Sequence, residues 1–509
     1  MNSRFTGFSN KKYIGLTIGL LLFLFILLFT DLEPGKPEIT RACAIAVLMA
    51  VWWVTESIPL SVTALLPVVL FPLLGVLDGK EISQAYFNHI IFIFIGGFIM
   101  ALAMEKWNLH KRIALKILLW VGVSPGRILF GCMLATSVLS MWISNTATAM
   151  MMIPIVTSII VKIEESLSKD EISGYSTGLL LGIAYSASIG GIATIVGTPP
   201  NLICVRMLNI LYPDAPEILF NQWLLFAFPL TALMFIIVWF ILKLSYVKKI
   251  RITNLSRESI KYQYDNIGKL SYEEKIVFIL FTLLALLWIT RPGFKFNSFN
   301  IPGWALLFKH SKYINDGTVA ILIAVILFII PAKSGQSKRL MDWETANRIP
   351  WNIVILFGGG FALAMGFEKS GLSLWLANHL AGSLNVNPLL YILVIVALMT
   401  FLTELTSNTA STQMLLPVFA SMAVGLKINP MVFMVPVTLA ASFAFMLPTA
   451  TPPNAIIFGT NRVSINNMIR TGFIINITGI LIITIVTYML IGIVFNIDPF
   501  VLPEWAITK

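Results

Sequence analysis

Long apolar runs separated by short polar stretches organise the whole chain, a pattern that reads as helices crossing a lipid bilayer. The runs predict spans near 13–30, 40–57, 60–77, 88–105, 177–210, 222–245, 275–290, 316–332, 351–368, 430–460 and 468–496. Two further runs, 128–161 and 388–424, are long for one helix. Each is interrupted near its middle by a polar triplet, Ser144-Asn145-Thr146 in the first and Ser407-Asn408-Thr409 in the second. A helix, a turn and a helix returning to the same face fit that pattern. The expectation is therefore an all-α polytopic membrane protein with about 11 transmembrane helices plus two re-entrant helical hairpins. Helices must carry such a fold, because lipid cannot satisfy the backbone of an open strand.

Composition agrees. The 509 residues are 57% hydrophobic and only 12% charged, with a mean hydropathy of +0.87, which lies outside the range of soluble globular chains. Residues 13–30 follow Lys11 and Lys12 and lack a small-residue cleavage site, so they read as a retained first helix and not a signal peptide. The cysteines Cys43, Cys132 and Cys204 lie in apolar segments without paired spacing, which argues for packing and against a disulfide framework or a zinc site. The net charge of +11 fits loops that orient a membrane protein among its lipids better than nucleic-acid binding, since no phosphate-binding motif accompanies it. With the N-terminus cytoplasmic and the C-terminus extracellular in the cell membrane, the Lys- and Arg-rich segments 106–127, 246–274 and 333–350 fall inside. "RPGFKF" and Lys309 to Lys312 form a basic outer loop against that trend. Residues 106–124 suit either a helix lying in the interface or a plain extension of the preceding helix.

An internal repeat sharpens the picture. "GGFIMALAMEK" at 96–106 aligns with "GGFALAMGFEK" at 359–369, an offset of 263 (359 − 96). The same offset carries "SNTA" at 144–147 onto "SNTA" at 407–410 and Pro154 onto Pro417. "GTPPN" at 197–201 meets "ATPPN" at 450–454 at an offset of 253 (450 − 197). Segment 246–274 is the long polar interruption between the halves. The organisation expected is an N-terminal helix (1–39), a first repeat (40–245), a cytoplasmic linker (246–274) and a second repeat (275–509). The expected crossing count gives the halves opposite directions. Inverted repeats with broken helices are characteristic of secondary transporters.

The chemistry of the breaks follows from their residues. Pro199, Pro200, Pro452 and Pro453 lack the N–H that a continuing helix needs, so breaks are expected near 198 and 451. Helix N-termini attract anions, while C-terminal carbonyls and Ser, Thr or Asn oxygens coordinate sodium. No Arg or Lys lies in either triplet or either Pro-Pro block. An anionic solute would depend on helix dipoles and bound cations, which couples the two. Taken singly, each triplet also fits plain interhelical hydrogen bonding. Glu404, in an apolar hairpin, is a candidate for proton handling or cation attraction, with a structural hydrogen bond as the alternative. Glu56 sits near a helix end and reads as structural. His89, His110, His310 and His379 lie away from Glu404 and the triplets, so an intramembrane enzyme is a remote reading.

At these residues the chain resembles the divalent anion/sodium symporter family, through "WWVTESIPLSVTALLPVVLFP", both SNT motifs, "GTPPN", "ATPPN" and "DGTVAILIAVILFIIPAK". The resemblance implies a homodimer that carries a small dicarboxylate with sodium by an elevator movement. Each protomer would have scaffold parts (40–124 and 275–385) and transport parts, a hairpin plus broken helix in each half (127–245 and 388–509). It implies a first sodium site at Ser140, Ser144, Asn145 and the Gly197 backbone. A second would lie at Thr403, the Thr406 backbone, Ser407, Asn408 and the Ala450 backbone. Substrate carboxylates would meet Asn145, Thr146, Asn408 and Thr409, with Thr198, Thr451 and Pro452 lining the pocket. C4-dicarboxylate import leads; dicarboxylate exchange and citrate or sulfate transport are the alternatives.

Overall fold

Proline placement and helix length decide how the apolar runs fold. The structure is a computed structural model that describes residues 6–122, 124–164, 169–247, 257–296, 299–335, 337–380 and 387–507. Among these, seven helices are long and apolar enough to cross a membrane, beginning with Lys12–Phe29 and ending with Ile465–Phe495. Shorter apolar helices fill the rest, including Pro125–Ser140 and Pro388–Thr403. Each of those two has 16 residues. At the α-helical rise that is about 24 Å, short of a hydrocarbon core of about 30 Å.

Both long runs fold as helix, turn and helix: Pro125–Ser140 with Asn145–Glu164, and Pro388–Thr403 with Asn408–Gly425. The triplets occupy the turns and the helix starts that follow. The runs 177–210 and 430–460 are each broken where the prolines require it. Helix Lys169–Gly191 stops and Pro199–Leu211 begins; Met431–Ala440 stops and Pro452–Phe458 begins. In both restarts the two prolines occupy the first helical positions, where a missing N–H costs nothing. The 263-residue offset also carries the helix Leu109–Val121 onto Leu372–Leu380, so the repeat extends beyond its quoted motifs.

Three expectations need correction. The run 60–77 is no single span: it forms Leu60–Thr63 and Leu66–Leu73, because Pro67 and Pro72 prevent one continuous hydrogen-bond ladder, and Gly75 at φ +68 ends it. Residues 106–124 do not extend the preceding helix. Asn108 turns the chain at φ 56, and Leu109–Val121 is a separate helix. The chain is not wholly α, since Gly293–Phe296 pairs antiparallel with Phe299–Pro302 in the basic loop after Tyr272–Thr290. Outside the apolar runs the backbone of that loop must find its own partners. Part of the 246–274 linker, residues 248–256, lies outside the described residues. Its end is helical at Arg257–Asn266 and is tied down by Arg112, which bonds Glu274 at 2.8 and 2.9 Å and the Gly268 carbonyl at 3.1 Å.

The helices pack in two sets. Pro125–Ser140, Lys169–Gly191, Phe220–Leu242, Met431–Ala440 and Ile465–Phe495 form one set; in the other, His89–Lys106 packs with Tyr272–Thr290 and Asp316–Ile329, and Pro37–Thr55 with Trp351–Ser370, the two groups meeting where the Phe94 and Phe357 rings lie 5.1 Å apart. Where the sets meet, helix Trp351–Ser370 lies against Pro199–Leu211 and Asn408–Gly425. That approach needs glycine: a Cβ on Gly360 would stand 2.4 Å from the Gln413 side chain. On another side of the same helix, a Cβ on Gly359 would stand 2.3 Å from the Ala64 carbonyl.

A charged clamp closes one end of the second set. The Lys106 ammonium, 2.5 Å from Asp342, holds that carboxyl down at about 2, helped by the Thr345 N–H. A depressed folded-state pKa contributes stability above the ordinary value near 4, which is lost as pH falls through about 2. The Asp342 side chain is 40% exposed, so screening keeps the effect small. Melting curves at low salt are expected to show a small extra loss for the native chain between pH of about 4 and 2 that Asp342→Asn lacks. Superimposable pH profiles would remove the pair from the stability account.

Candidate functional site

In the first repeat, the Ser140 hydroxyl lies 2.7 Å from both the Asn145 amide oxygen and the Ala187 carbonyl. In the second, the Thr403 hydroxyl lies 2.6 Å from the Asn408 amide oxygen and 2.9 Å from the Ala441 carbonyl. A hydroxyl carries one proton. Three oxygens thus gather around a single proton in each half. Such a cluster suits a hard cation. Gly191 makes room for it in the first half, where a Cβ would stand 2.4 Å from the Asn145 amide oxygen.

The non-helical stretches are pinned by the asparagine that ends each "TPPN". The Asn201 amide donates to the Thr194 carbonyl at 2.7 Å and to the Gly191 and Ile192 carbonyls at 3.3 and 3.4 Å. The Asn454 amide donates to the Ala444 and Leu447 carbonyls, each at 3.0 Å. Both asparagines are fully buried. No role for them is evident in the sequence beyond their fixed place after two prolines. The halves also touch directly, through the Tyr185 hydroxyl donating to the Phe445 carbonyl at 2.9 Å.

One cavity of about 870 Å³ joins these pieces. It is lined by Ser144, Asn145, Thr146, Gly197 and Thr198 from the first repeat, and by Thr406, Ser407, Asn408, Thr409, Ala450, Thr451 and Pro452 from the second. Ser140 and Thr403 stand behind this lining, bonded to Asn145 and Asn408. The Thr406 side chain is occupied, donating to the Leu402 carbonyl at 2.9 Å and meeting Ser411 at 2.5 Å, which leaves its backbone for other partners. The Thr451 hydroxyl is buried without a partner.

Lys12, Glu56, Ser61, Phe94 and Asn352 complete the cavity from elsewhere in the chain. Glu56, which the sequence marks as structural at a helix end, here lines the cavity; Glu56 and Ser61 lie within "WWVTESIPLSVTALLPVVLFP", while no motif marks Lys12, Phe94 or Asn352 for this role. Lys12 and Glu56 are the ionisable residues of the described lining. Glu404 does not line it. Its carboxylate is 3% exposed and accepts from the N–H groups of Phe445, Met446 and Leu447 and from the Asn476 amide, so the structural bond expected as its alternative role is present. Among the described residues no group of three or more His, Cys, Asp and Glu could hold a metal ion.

Two like breaks facing one cavity within a bundle of apolar helices make up a membrane transporter architecture. The chain belongs to the family described as sodium:sulfate symporter transmembrane region, whose profile matches residues 10–496. It is a transporter and not an enzyme. It is 41% identical over 506 residues to the sodium-dependent dicarboxylate transporter SdcS of Staphylococcus saprophyticus, covering 96% of this chain and 95% of that one. The SdcS of Staphylococcus aureus is 42% identical over 497 residues, covering 96% and 93%. Among solved structures, MtrF of Neisseria gonorrhoeae superposes with a TM-score of 0.57 at 14% identity, over 93% of this chain and 97% of that one. The YdaH transporter of Alcanivorax borkumensis does so at 0.50 and 15%, over 95% and 97%. At those identities the likeness is one of fold.

The pins give a direct test. Asn201→Leu and Asn454→Leu each strip buried carbonyls of their donor, a loss of about 1–3 kcal/mol per orphaned group. Both purified variants should melt below the native chain by fluorescence thermal unfolding; native melting temperatures in both would show that the breaks hold without them.

Proposed function

We propose that the chain is a secondary active transporter that imports C4-dicarboxylates such as succinate, malate and fumarate together with sodium, by an elevator movement. The observation that carries this reading is the single cavity onto which both triplets and both Pro-Pro helix starts open, with neutral polar side chains where they meet. The names of the SdcS relatives supply the solute class and the ion.

Sodium is cargo in this reading. The first ion is assigned to Ser140, Ser144, Asn145 and the Gly197 backbone, the second to Thr403, the Thr406 backbone, Ser407, Asn408 and the Ala450 backbone. The proton-poor oxygen clusters around Ser140 and Thr403 fit such ions. The solute carboxylates are assigned to Asn145, Thr146, Asn408 and Thr409, with Thr198, Thr451 and Pro452 shaping the pocket. Amide and hydroxyl donors bond carboxylate oxygens, and the helix starts at Asn145 and Asn408 add their dipoles. A neutral site cannot by itself compensate a divalent anion. Sodium must do so, and linkage then raises anion affinity whenever sodium is bound.

The two packed sets of helices are the natural moving parts: the set holding the breaks would slide against the set holding Trp351–Ser370. With eleven crossings and a cytoplasmic N-terminus, Lys12 and Asn352 at the cavity margin put its mouth on the cytoplasmic side. The carrier is then poised inward, the C-terminus is extracellular, and a homodimer anchors the non-moving set.

Uptake of labelled succinate into proteoliposomes is expected to fall roughly 5- to 150-fold when choline replaces sodium. Asn145→Ala and Asn408→Ala should each leave less than about a tenth of native uptake, the loss of one hydrogen bond to a charged group. Undiminished uptake in choline would remove the coupling. Native uptake in both variants would remove the site assignment, and competition by citrate and sulfate defines the solute range.

A further inference from the structure

The repeats match in their proton-poor clusters and in their asparagine pins, yet they differ at one point of each break. In the second repeat, Glu404 reaches the non-helical stretch 441–451. One carboxylate oxygen accepts from the N–H groups of Phe445 at 2.6 Å and Met446 at 2.9 Å and from the Asn476 amide at 2.7 Å. The other accepts from Met446 and Leu447, each at 3.1 Å. Every contact is a donor aimed at the carboxylate, and among the described ion pairs none involves Glu404. Asn476, on helix Ile465–Phe495, is itself fully buried.

The first repeat has no charge at the equivalent place. The offsets of the repeat carry Glu404 back to Met141 (404 − 263) and Leu447 back to Thr194 (447 − 253). There the bond runs the other way: the Thr194 hydroxyl donates to the Met141 carbonyl at 2.5 Å and accepts from the Gly197 N–H at 3.1 Å. The second break is thus held by hydrogen bonds to a carboxylate, which are roughly twice as strong as neutral ones, and the first by neutral bonds alone.

We propose that Glu404 is a positioning residue that builds the second break in advance, so that the two halves of the site are unequal. The second half keeps its shape in the absence of a cation. The first half is completed by its cation. The inference rests on the reading that the two breaks together form the solute site.

Amide hydrogen exchange of the purified full chain, with peptides covering 445–447 and their equivalents 192–194 (445 − 253 and 447 − 253), tests this. In sodium-free buffer the amides of 445–447 should exchange at least about tenfold more slowly than those of 192–194, the factor expected from one hydrogen bond to a charged group. Adding sodium should slow 192–194 and leave 445–447 nearly unchanged. In Glu404→Gln, of similar length but uncharged, exchange at 445–447 should approach that at 192–194. Equal exchange at the two breaks in sodium-free native protein, or undiminished protection in a folded Glu404→Gln variant, overturns the proposal. If that variant does not fold, the native comparison alone decides. The sodium-free comparison needs no bound ion. A chain that ignores sodium would therefore defeat sodium coupling and leave the anchor standing, whereas equal exchange defeats the anchor and leaves coupling standing.

Discussion

A peptide group inside a bilayer has no water to bond, and each one left unpaired there costs several kcal/mol, so a broken helix must bring its own partners. Everything particular about this molecule follows from meeting that constraint four times, at two hairpin turns and two Pro-Pro restarts. The prolines remove donors: Pro199, Pro200, Pro452 and Pro453 have no N–H to satisfy at the first two positions of the new helices. The asparagines that follow supply donors for the carbonyls that the preceding stretch leaves open. Removing donors on one side of the break and adding them on the other balances the account without water. Polar groups not needed for that purpose are then free to face the cavity.

How much of this was legible depended on whether the cause was local. Proline and glycine act on their own residue, so the breaks at 198 and 451 and the hairpin turns at the two triplets could be read directly, and the repeat tied them together. The run 60–77 failed the same test for a local reason: its hydropathy hid two prolines that forbid a continuous helix. The β pair at 293–302 follows from a loop's need to satisfy its backbone, which hydropathy does not report. The rest of the cavity lining was less readable. Glu56 was marked as structural, and Lys12, Ser61 and Asn352 arrive from distant segments that tertiary packing brings to one place. Glu404 is the intermediate case. Its position marked it as worth explaining, but its donors lie some forty residues away in sequence.

The repeat accounts for why two unrelated-looking stretches converge. Each half carries the same hydroxyl-to-amide contact at its hairpin and the same amide-to-carbonyl pin at its restart, so one local solution, used twice, makes two half-sites. Close approach of Trp351–Ser370 to Asn408–Gly425 depends on Gly360, which faces the Gln413 side chain with no atoms to spare. A surface of small residues can slide more readily than one of interlocked large side chains, because fewer rotamers must change for each step. The Gln413 amide, which donates to the Leu356 carbonyl at 2.8 Å, is one polar contact that the proposed slide would have to break.

The placement of charge bears on why coupling would be tight on the proposed reading. An arginine or lysine among the triplets would attract an anion whatever the sodium concentration, and the carrier could then cross loaded with solute alone. Here the ionisable lining of the cavity is confined to Lys12 and Glu56 at its margin, while the meeting point of the repeats offers amides, hydroxyls and helix ends. On the proposed reading those groups would select and orient carboxylates, and the compensating charge would come from ions at the oxygen clusters behind Asn145 and Asn408. Because the same two asparagines touch both the cluster and the cavity, on the proposed reading an ion bound on one side would fix the amide presented on the other. Affinity for the solute would then be conditional on the cation through shared side chains, with no Arg or Lys in the triplets to attract the anion alone.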